Sequence, residues 1–242
     1  QLDQLQEAHA DLSSAQAQLI RAERLAVVGT LSAGLAHEIG NPLAVVSGFT
    51  ELLKDPSLAL EEQESALKRI EHELDRIQSI VRDLLDFSRA SSESKGECRI
   101  SDALADLKGL LDPQRRFASV ELSVSSLVEP VARIEKSAFL QVMVNLALNA
   151  ADAMNGSGQV RVSAQAFEEY VSVRVEDSGP GVPDSDHAKV FEPFFTTKPA
   201  GLGTGLGLAV CERIVEAVGG TLTVGRSQDL GGACFELLLP KV

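Results

Sequence analysis

The chain has 242 residues, 44% hydrophobic and 24% charged, a balance that fits a folded protein of one or two domains and excludes wholesale disorder. Its formal net charge is −13, aromatic residues make up 4% and Trp is absent. A phosphate-backbone binder needs a basic face and stacking platforms, so nucleic acid is not an expected partner.

The first stretch reads as a helix with an imperfect seam. Leu2, Leu5, His9, Leu12, Gln16 and Leu19 follow the 3-4 spacing of a coiled coil, and the polar His9 and Gln16 weaken it while helping to fix register. Past Leu19 the apolar positions move to Ala22, Leu25 and Val28, a change of phase that locally rewinds a coiled coil and can act as a mechanical joint. The helical pattern continues through Ala26–Lys54, interrupted only at Asn41-Pro42, and a turn is expected at Asp55-Pro56-Ser57. A second helix is predicted from about Leu60 to Arg89, with Leu67, Ile70, Leu74, Ile77, Val81 and Leu84 in an unbroken 3-4 repeat. Two long helices joined by a short loop form an antiparallel hairpin. Its apolar stripes are too wide for one partner, so a four-helix bundle made by two copies is the economical arrangement.

Ala90–Glu97 is Ser-rich, lacks apolar anchors and reads as a flexible linker. Beyond it, strands are predicted at Cys98–Ile100, Val120–Val124, Gln159–Ala166, Val171–Glu176, Thr221–Val224 and Ala233–Leu239. Helices are predicted at Ser101–Leu111, Lys136–Met154 and Leu206–Val218. The adjacent closing strands suggest an antiparallel or mixed sheet with helices on one face, an α+β sandwich. The expected organisation is a coiled-coil helix over 1–24, an all-α hairpin over 25–90, a linker over 91–97 and the sandwich over 98–242.

The three cysteines, Cys98, Cys211 and Cys234, are far apart and read as buried reduced thiols of a cytoplasmic chain. No apolar run approaches the ~20 residues needed to cross a bilayer. The sequence opens on Gln1 rather than Met, so it is expected to be a fragment, with any sensor or membrane anchor lying upstream.

Of the four histidines, His9 falls in the seam, His72 lies off the apolar stripe and reads as solvated, and His187 sits in a polar loop without an obvious partner. His37 differs. In Leu35-Ala36-His37-Glu38-Ile39-Gly40-Asn41-Pro42-Leu43 it shares a helix face with Asn41 one turn later. Pro42 lacks a backbone donor and crowds the carbonyl of Glu38, so a kink is expected beside His37 at a cost of about 3 kcal/mol.

Along Gln141–Ala153, apolar residues take one helix face while Asn145, Asn149 and Asp152 share another at i, i+4 and i+7. Carboxamide oxygens are hard ligands suited to Mg²⁺ held against substrate phosphates, although a solvated polar stripe would look the same. Asp177-Ser178-Gly179-Pro180-Gly181 ends a strand. A carboxylate there can accept a hydrogen bond from an adenine amino group, the glycines (Gly179 and Gly181) let the backbone approach a flat base, and guanine would be repelled; an ordinary turn is the plain alternative. The run Gly201-Leu202-Gly203-Thr204-Gly205-Leu206-Gly207-Leu208 leads into a helix, and such an N-terminus offers backbone N–H groups and a favourable dipole to phosphate oxygens. It is not a Walker loop, because no Gly-Lys-Ser/Thr follows, and no strand leads straight into it as a dinucleotide fingerprint requires. Between the glycine segments, Phe191-Glu192-Pro193-Phe194-Phe195-Thr196-Thr197-Lys198 supplies three rings that could anchor a lid, with Lys198 or Thr197 within reach of phosphate.

The order and spacing of these pieces resemble the histidine kinases of two-component signalling over Ala22–Val242. His37-Glu38-x-x-Asn41-Pro42 is similar to that family's phosphoacceptor box. Asn145–Ala153, Asp177–Gly181, Phe191–Phe195 and Gly201–Leu208 are similar to its Asn, first glycine, phenylalanine and second glycine boxes, and Gly231-Gly232 fits as well. The resemblance implies ATP and Mg²⁺ as cofactors: Asn149 would hold the metal, Asn145 would support the phosphates with Asp152 beside them, and Asp177 would read adenine. Gly203, Thr204, Gly205, Leu206 and Gly207 would cradle phosphate. It further implies that a neutral His37 ring nitrogen attacks the γ-phosphate with Glu38 as base, and that the phosphoryl group passes to an aspartate of a response regulator receiver domain. Asn41 would position water for a reverse, phosphatase reaction. The implied assembly is a homodimer, in the cytoplasm or as the cytoplasmic part of a membrane-anchored receptor. Two competitors remain: a signalling scaffold that senses ATP without using it, and a gyrase- or heat-shock-chaperone-type ATPase. The latter carry a Glu one turn before the Mg²⁺-binding Asn, where this chain has Asn145, a carboxamide that cannot be a general base.

Overall fold

The computed structural model describes residues 39–89, 96–112, 114, 117–126, 129–198 and 203–242. The coiled-coil stretch over 1–24, the residues His37 and Glu38, residues 90–95 of the linker and Gly201 lie outside the described residues. The chain falls into two compact units that divide between Arg82 and Asp83.

Helix α1 covers 39–52 and α2 covers Leu60–Arg89, the division between the units falling within α2. Helix α1 runs through Asn41-Pro42. Pro42 lies in the fourth described residue of the helix, and its ring removes one donor without ending the run. The intervening turn forms as the sequence suggests: Asp55 Oδ1 accepts from the Ser57 amide (2.9 Å) and hydroxyl (2.7 Å), an Asx turn. Glu62 Oε2 then reaches back to the Ala59 amide at 3.2 Å, half of a capping box, and Glu61 and Glu62 complement the dipole in the first turn of α2. Two stripes run along α2. Ala66 and Ile80 are buried, with Ile70, Glu73 and Ile77 half-buried between them at 3-4 spacing. Leu60, Leu67, Leu74 and Val81, spaced by sevens, are 41–72% exposed.

The second unit has the element order β1 (Cys98–Arg99), α3 (Ile100–Leu111), β2 (Ser119–Ser126), β3 (Val131–Ala132), α4 (Lys136–Ala153), β4 (Ser157–Ala166), β5 (Tyr170–Asp177), α5 (Gly207–Ala217), β6 (Thr221–Arg226) and β7 (Ala233–Pro240). Strands β1 and β3 form a two-stranded pair; the others form a five-stranded sheet in the order β2-β4-β5-β7-β6. Only β2 and β4 are parallel, so the sheet is mixed. Two sequence readings change: Ile100 begins α3 rather than ending a strand, and β3 was not foreseen. Ile100 still donates to the Pro130 carbonyl (2.9 Å), in register with the β1–β3 pair, even though it opens α3.

Period-two alternation places Val160, Val162 and Ala164 of β4, Val171, Val173 and Val175 of β5, and Phe235, Leu237 and Leu239 of β7 on one buried face. Helices α3, α4 and α5 pack on this sheet through apolar faces that include Leu104, Leu107, Phe139, Met143, Leu146, Val210 and Ile214. Each such side chain contributes about 1.5–3 kcal/mol by leaving water. The opposite face is polar: Arg174 donates to Glu236 (2.9 Å), Ser172 to the same carboxylate (2.7 Å) and Ser227 to Glu176 (2.7 Å). Cys98 and Cys211 are buried free thiols, as expected. Cys234 is only half-buried because its strand position points to the polar face, where burial and the neighbouring Glu176 push its thiol up to about 11.

Candidate functional site

Helix α4 supplies the floor of the site. Its apolar face is fully engaged in the core, which turns Asn145, Asn149 and Asp152 toward the other side as the i, i+4, i+7 spacing requires. Lys198 comes from the chain beyond β5 and places its ammonium 3.2 Å from Asn149 Oδ1 and 2.7 Å from Asp152 Oδ2. Both ends of the ion pair are about a quarter exposed. Two oxygens one turn apart on α4 therefore converge on a cation. Hard carboxamide and carboxylate oxygens are the donor set Mg²⁺ takes, so the residues present fit that ion. Asn145 lies one turn earlier; nearby, the Cys211 thiol is sealed in the core, donates to the Val142 carbonyl oxygen (3.9 Å) and is pushed up to about 12 by burial.

Strand β5 ends at Asp177, 3% exposed. Its Oδ1 accepts from the Gly179 amide (2.8 Å) and the Ala233 amide (3.1 Å), which leaves Oδ2 as an acceptor for another donor. Burial raises the carboxyl above its usual range, and the two backbone bonds only partly offset this. The packing around it leaves no room for side chains. A Cβ on Gly232 would meet Asp177 Oδ1 at 2.2 Å, and one on Gly179 would lie 3.3 Å from the Met154 side chain and 3.6 Å from Ala153 at the end of α4. Ser178 completes the corner, donating to Met154 Sδ (3.2 Å) and accepting from the Gln159 amide (2.9 Å). The first glycine segment is thus seated on the last turn of α4.

The phenylalanine and second glycine segments interlock. The Phe194 amide donates to the Gly205 carbonyl at 2.9 Å, and a Cβ on Gly205 would stand 2.4 Å from the Phe194 carbonyl carbon. Both residues have positive φ, 66° for Gly205 and 68° for Phe194. Gly203 faces the Lys198 stem, with a Cβ there 3.1 Å from Lys198 Cδ. The Thr204 hydroxyl accepts from the Leu206 amide (3.3 Å) just before α5 begins at Gly207, so the glycine run that borders the Lys198 stem leads straight into a helix N-terminus. Phe191 packs edge-on against Phe235 with ring centroids 6.5 Å apart, while Phe195 is half-buried.

The site residues of the second unit thus gather around α4: Asn145, Asn149, Asp152 and Lys198 by direct contact, Asp177 and Gly179 through Met154 and Ala153, and Gly203 to Gly207 through Lys198 and Phe194. Gly181 (φ 77°) abuts Gly232. Thr197 is exposed, and Asn41 is exposed on α1 in the other unit. His187 does have a partner, its Nε2 lying 3.1 Å from the Val182 carbonyl oxygen. Met154, Ser178, Ala233 and the positive φ of Phe194 carry no sequence signal. Gly232 was visible only as half of a Gly-Gly pair.

Residues 135–242 match the family described as histidine kinase-, DNA gyrase B- and HSP90-like ATPase, and residues 28–93 match the His Kinase A phospho-acceptor domain. The chain is 33% identical over 228 residues to the signal transduction histidine-protein kinase AtoS of Escherichia coli, covering 93% of this chain and 37% of that protein. Among solved structures, histidine kinase ThkA in complex with the response regulator TrrA is similar at TM-score 0.75 and 27% identity, over 92% of this chain and 64% of that one. Full-length ShkA in complex with AMPPNP is similar at TM-score 0.60 and 30% identity, over 87% and 45%. The chain spans about a quarter to a half of the length of the curated relatives it matches.

Two substitutions test this geometry. Gly205→Ala combines a positive φ with a backbone clash and is expected to cost about 1–3 kcal/mol, whereas Gly207→Ala, with nothing within 4 Å of its Cβ, should leave the melting temperature unchanged. Differential scanning calorimetry of both variants makes the comparison. Asp177→Asn keeps an oxygen for both backbone donors and removes an ionisation that burial opposes. Because the folded-state pKa of Asp177 is raised, its charge costs stability above that pKa, and the cost fades as pH falls through it toward 3.8. The variant's Tm at pH 7 should therefore equal or exceed that of wild type, with the gap closing in acid.

Proposed function

Because this chain belongs to the two-component sensor histidine kinases, of which it is the catalytic core, we propose that it phosphorylates its own His37 from Mg-ATP and passes the phosphoryl group to an aspartate of a response regulator receiver domain. The observation that carries this reading is the convergence of Asn149, Asp152 and Lys198, with the glycine run into α5 against the lysine stem, in a chain that also holds a phospho-acceptor domain.

In this reading Asp177 Oδ2 accepts from the adenine amino group while its Oδ1 stays tied to the Gly179 and Ala233 amides. Guanine presents a carbonyl there and is excluded. The Gly203–Gly207 run directs backbone N–H groups and the α5 dipole at the phosphates, and Asn149, with Asp152 beside it, would hold Mg²⁺, which when bound would neutralise charge on the triphosphate. A neutral His37 ring nitrogen bonds the γ-phosphorus as the bond to the ADP oxygen breaks, and Glu38 takes the proton from the other ring nitrogen. The labile P–N bond then breaks in favour of the receiver carboxylate, the ring recovering its proton. Asn41 serves the reverse, water-directed reaction.

The domain organisation that suits this is a signalling helix over 1–24, a dimerising acceptor hairpin over 25–90, a linker over 91–97 and a nucleotide domain over 98–242. The hairpin dimerises through the stripe of Leu60, Leu67, Leu74 and Val81, which its own unit leaves exposed.

Incubated with Mg-ATP labelled at the γ-position, the chain should become phosphorylated in an acid-labile, base-stable form, and His37→Ala should reduce incorporation to background; label that persists in the variant refutes the assignment. The dimer is tested separately. Leu67→Glu with Leu74→Glu should keep the helix content by circular dichroism, while sedimentation shows a dimer dissociation constant raised on the order of a hundredfold or more.

A further inference from the structure

Lys198 bonds the same oxygens that fit a divalent cation. Its ammonium accounts for Asn149 Oδ1 and Asp152 Oδ2 at 3.2 and 2.7 Å, and its stem runs along Gly203, where a Cβ would approach Cδ to 3.1 Å. An ammonium and a hydrated Mg²⁺ cannot both occupy that point, since two cations within a few ångströms repel strongly in a partly buried setting. The lysine stem also borders Gly203, at the start of the glycine run that leads into α5. We propose that Lys198 is a resident counter-ion for the metal-binding oxygens: it holds them in the nucleotide-free chain, keeps a divalent cation from binding alone, and transfers to the phosphates only when metal and nucleotide arrive together.

This deepens the reading of the site as an ATP site and rests on it. It explains why the lysine is placed at the end of the Phe191–Lys198 segment. Withdrawal of Nζ from α4 removes the bonds that tie that segment to Asn149 and Asp152, so release of the lysine and remodelling of the segment around the nucleotide are one event. It also makes metal binding conditional. Without nucleotide the site is satisfied by an internal cation and has no charge left to attract a second.

The test uses Mn²⁺ as the metal, followed by electron paramagnetic resonance of the free ion, on the whole chain without nucleotide. Wild type should bind Mn²⁺ weakly. Lys198→Met, which keeps the apolar stem and removes the charge, should bind it on the order of tenfold more tightly, the loss of one charge-assisted hydrogen-bonded pair. Adding Asp152→Asn to that variant should abolish the gain, placing the new binding at α4. With the non-hydrolysable analogue AMPPNP present, wild type should bind Mn²⁺ tightly and Lys198→Met should bind AMPPNP itself less well. Equal nucleotide-free Mn²⁺ affinity in wild type and Lys198→Met overturns the counter-ion role while leaving the ATP reading intact. Failure of wild type to bind AMPPNP at any Mn²⁺ concentration overturns the ATP reading and, with it, the exchange.

Discussion

Every part of the candidate site leans on α4, and the division of that helix into an apolar and a polar face is the constraint on which the rest depends. Phe139, Val142, Met143, Leu146, Ala147, Ala150 and Ala151 are committed to the core. The helix therefore cannot rotate without exposing large apolar side chains, at about 1.5–3 kcal/mol for each of the larger ones. Asn149 and Asp152 are held at a fixed azimuth by that packing, not by their own weak polar contacts. The last turn then acts as a platform: Ala153 and Met154 receive the Gly179 corner, and through it Asp177. Core packing and site geometry are the same physical fact seen from opposite sides of one helix.

Where side chains give position, glycines give proximity. At Gly232 and Gly205 the neighbouring atoms stand at 2.2 and 2.4 Å from where a Cβ would sit, so backbone meets carboxylate in one case and backbone in the other. The Asp177 carboxylate gains two amide donors at a place where burial alone would favour its neutral form. The Phe194 to Gly205 contact joins two segments that are both held at positive φ, a strained arrangement for a phenylalanine that persists because the partner backbone fixes it.

Much of this was legible in the sequence, and the reasons for the gaps are physical. Helices α2, α4 and α5 and strands β4, β5 and β7 have enough residues for their periodicity to be read, and the polar face of α4 followed from spacing alone. Strand β3 has two residues and no period to detect. Cys234 was expected to be buried like Cys98 and Cys211, but its alternation within β7 decides its face, and that depends on a register only the sheet supplies. The partners of Lys198 lie 46 and 49 residues away, and the clash that demands Gly232 involves a carboxylate 55 positions earlier; no local pattern carries such information. The exposed stripe of α2 was legible as excess width, because seven-residue spacing of Leu60, Leu67, Leu74 and Val81 adds a second apolar face to the one the hairpin uses.

The chemistry of the second unit also bears on why the acceptor sits elsewhere in the chain. Activation of water beside a bound triphosphate needs a base with an unoccupied lone pair at the phosphate end. Among the described residues there, Asn145 and Asn149 are carboxamides, Asp152 is ion-paired to Lys198, and Asp177 is tied by two amides in the corner seated on the last turn of α4. The imidazole of His187 is engaged with the Val182 carbonyl oxygen. Such a set binds and orients without taking a proton. On the proposed reading, a site built this way holds the nucleotide without activating water, and phosphoryl transfer would wait for His37. On that reading, with His37 and Glu38 in a different part of the chain from the nucleotide site, their approach would be the controllable step, which suits a kinase whose output follows a signal.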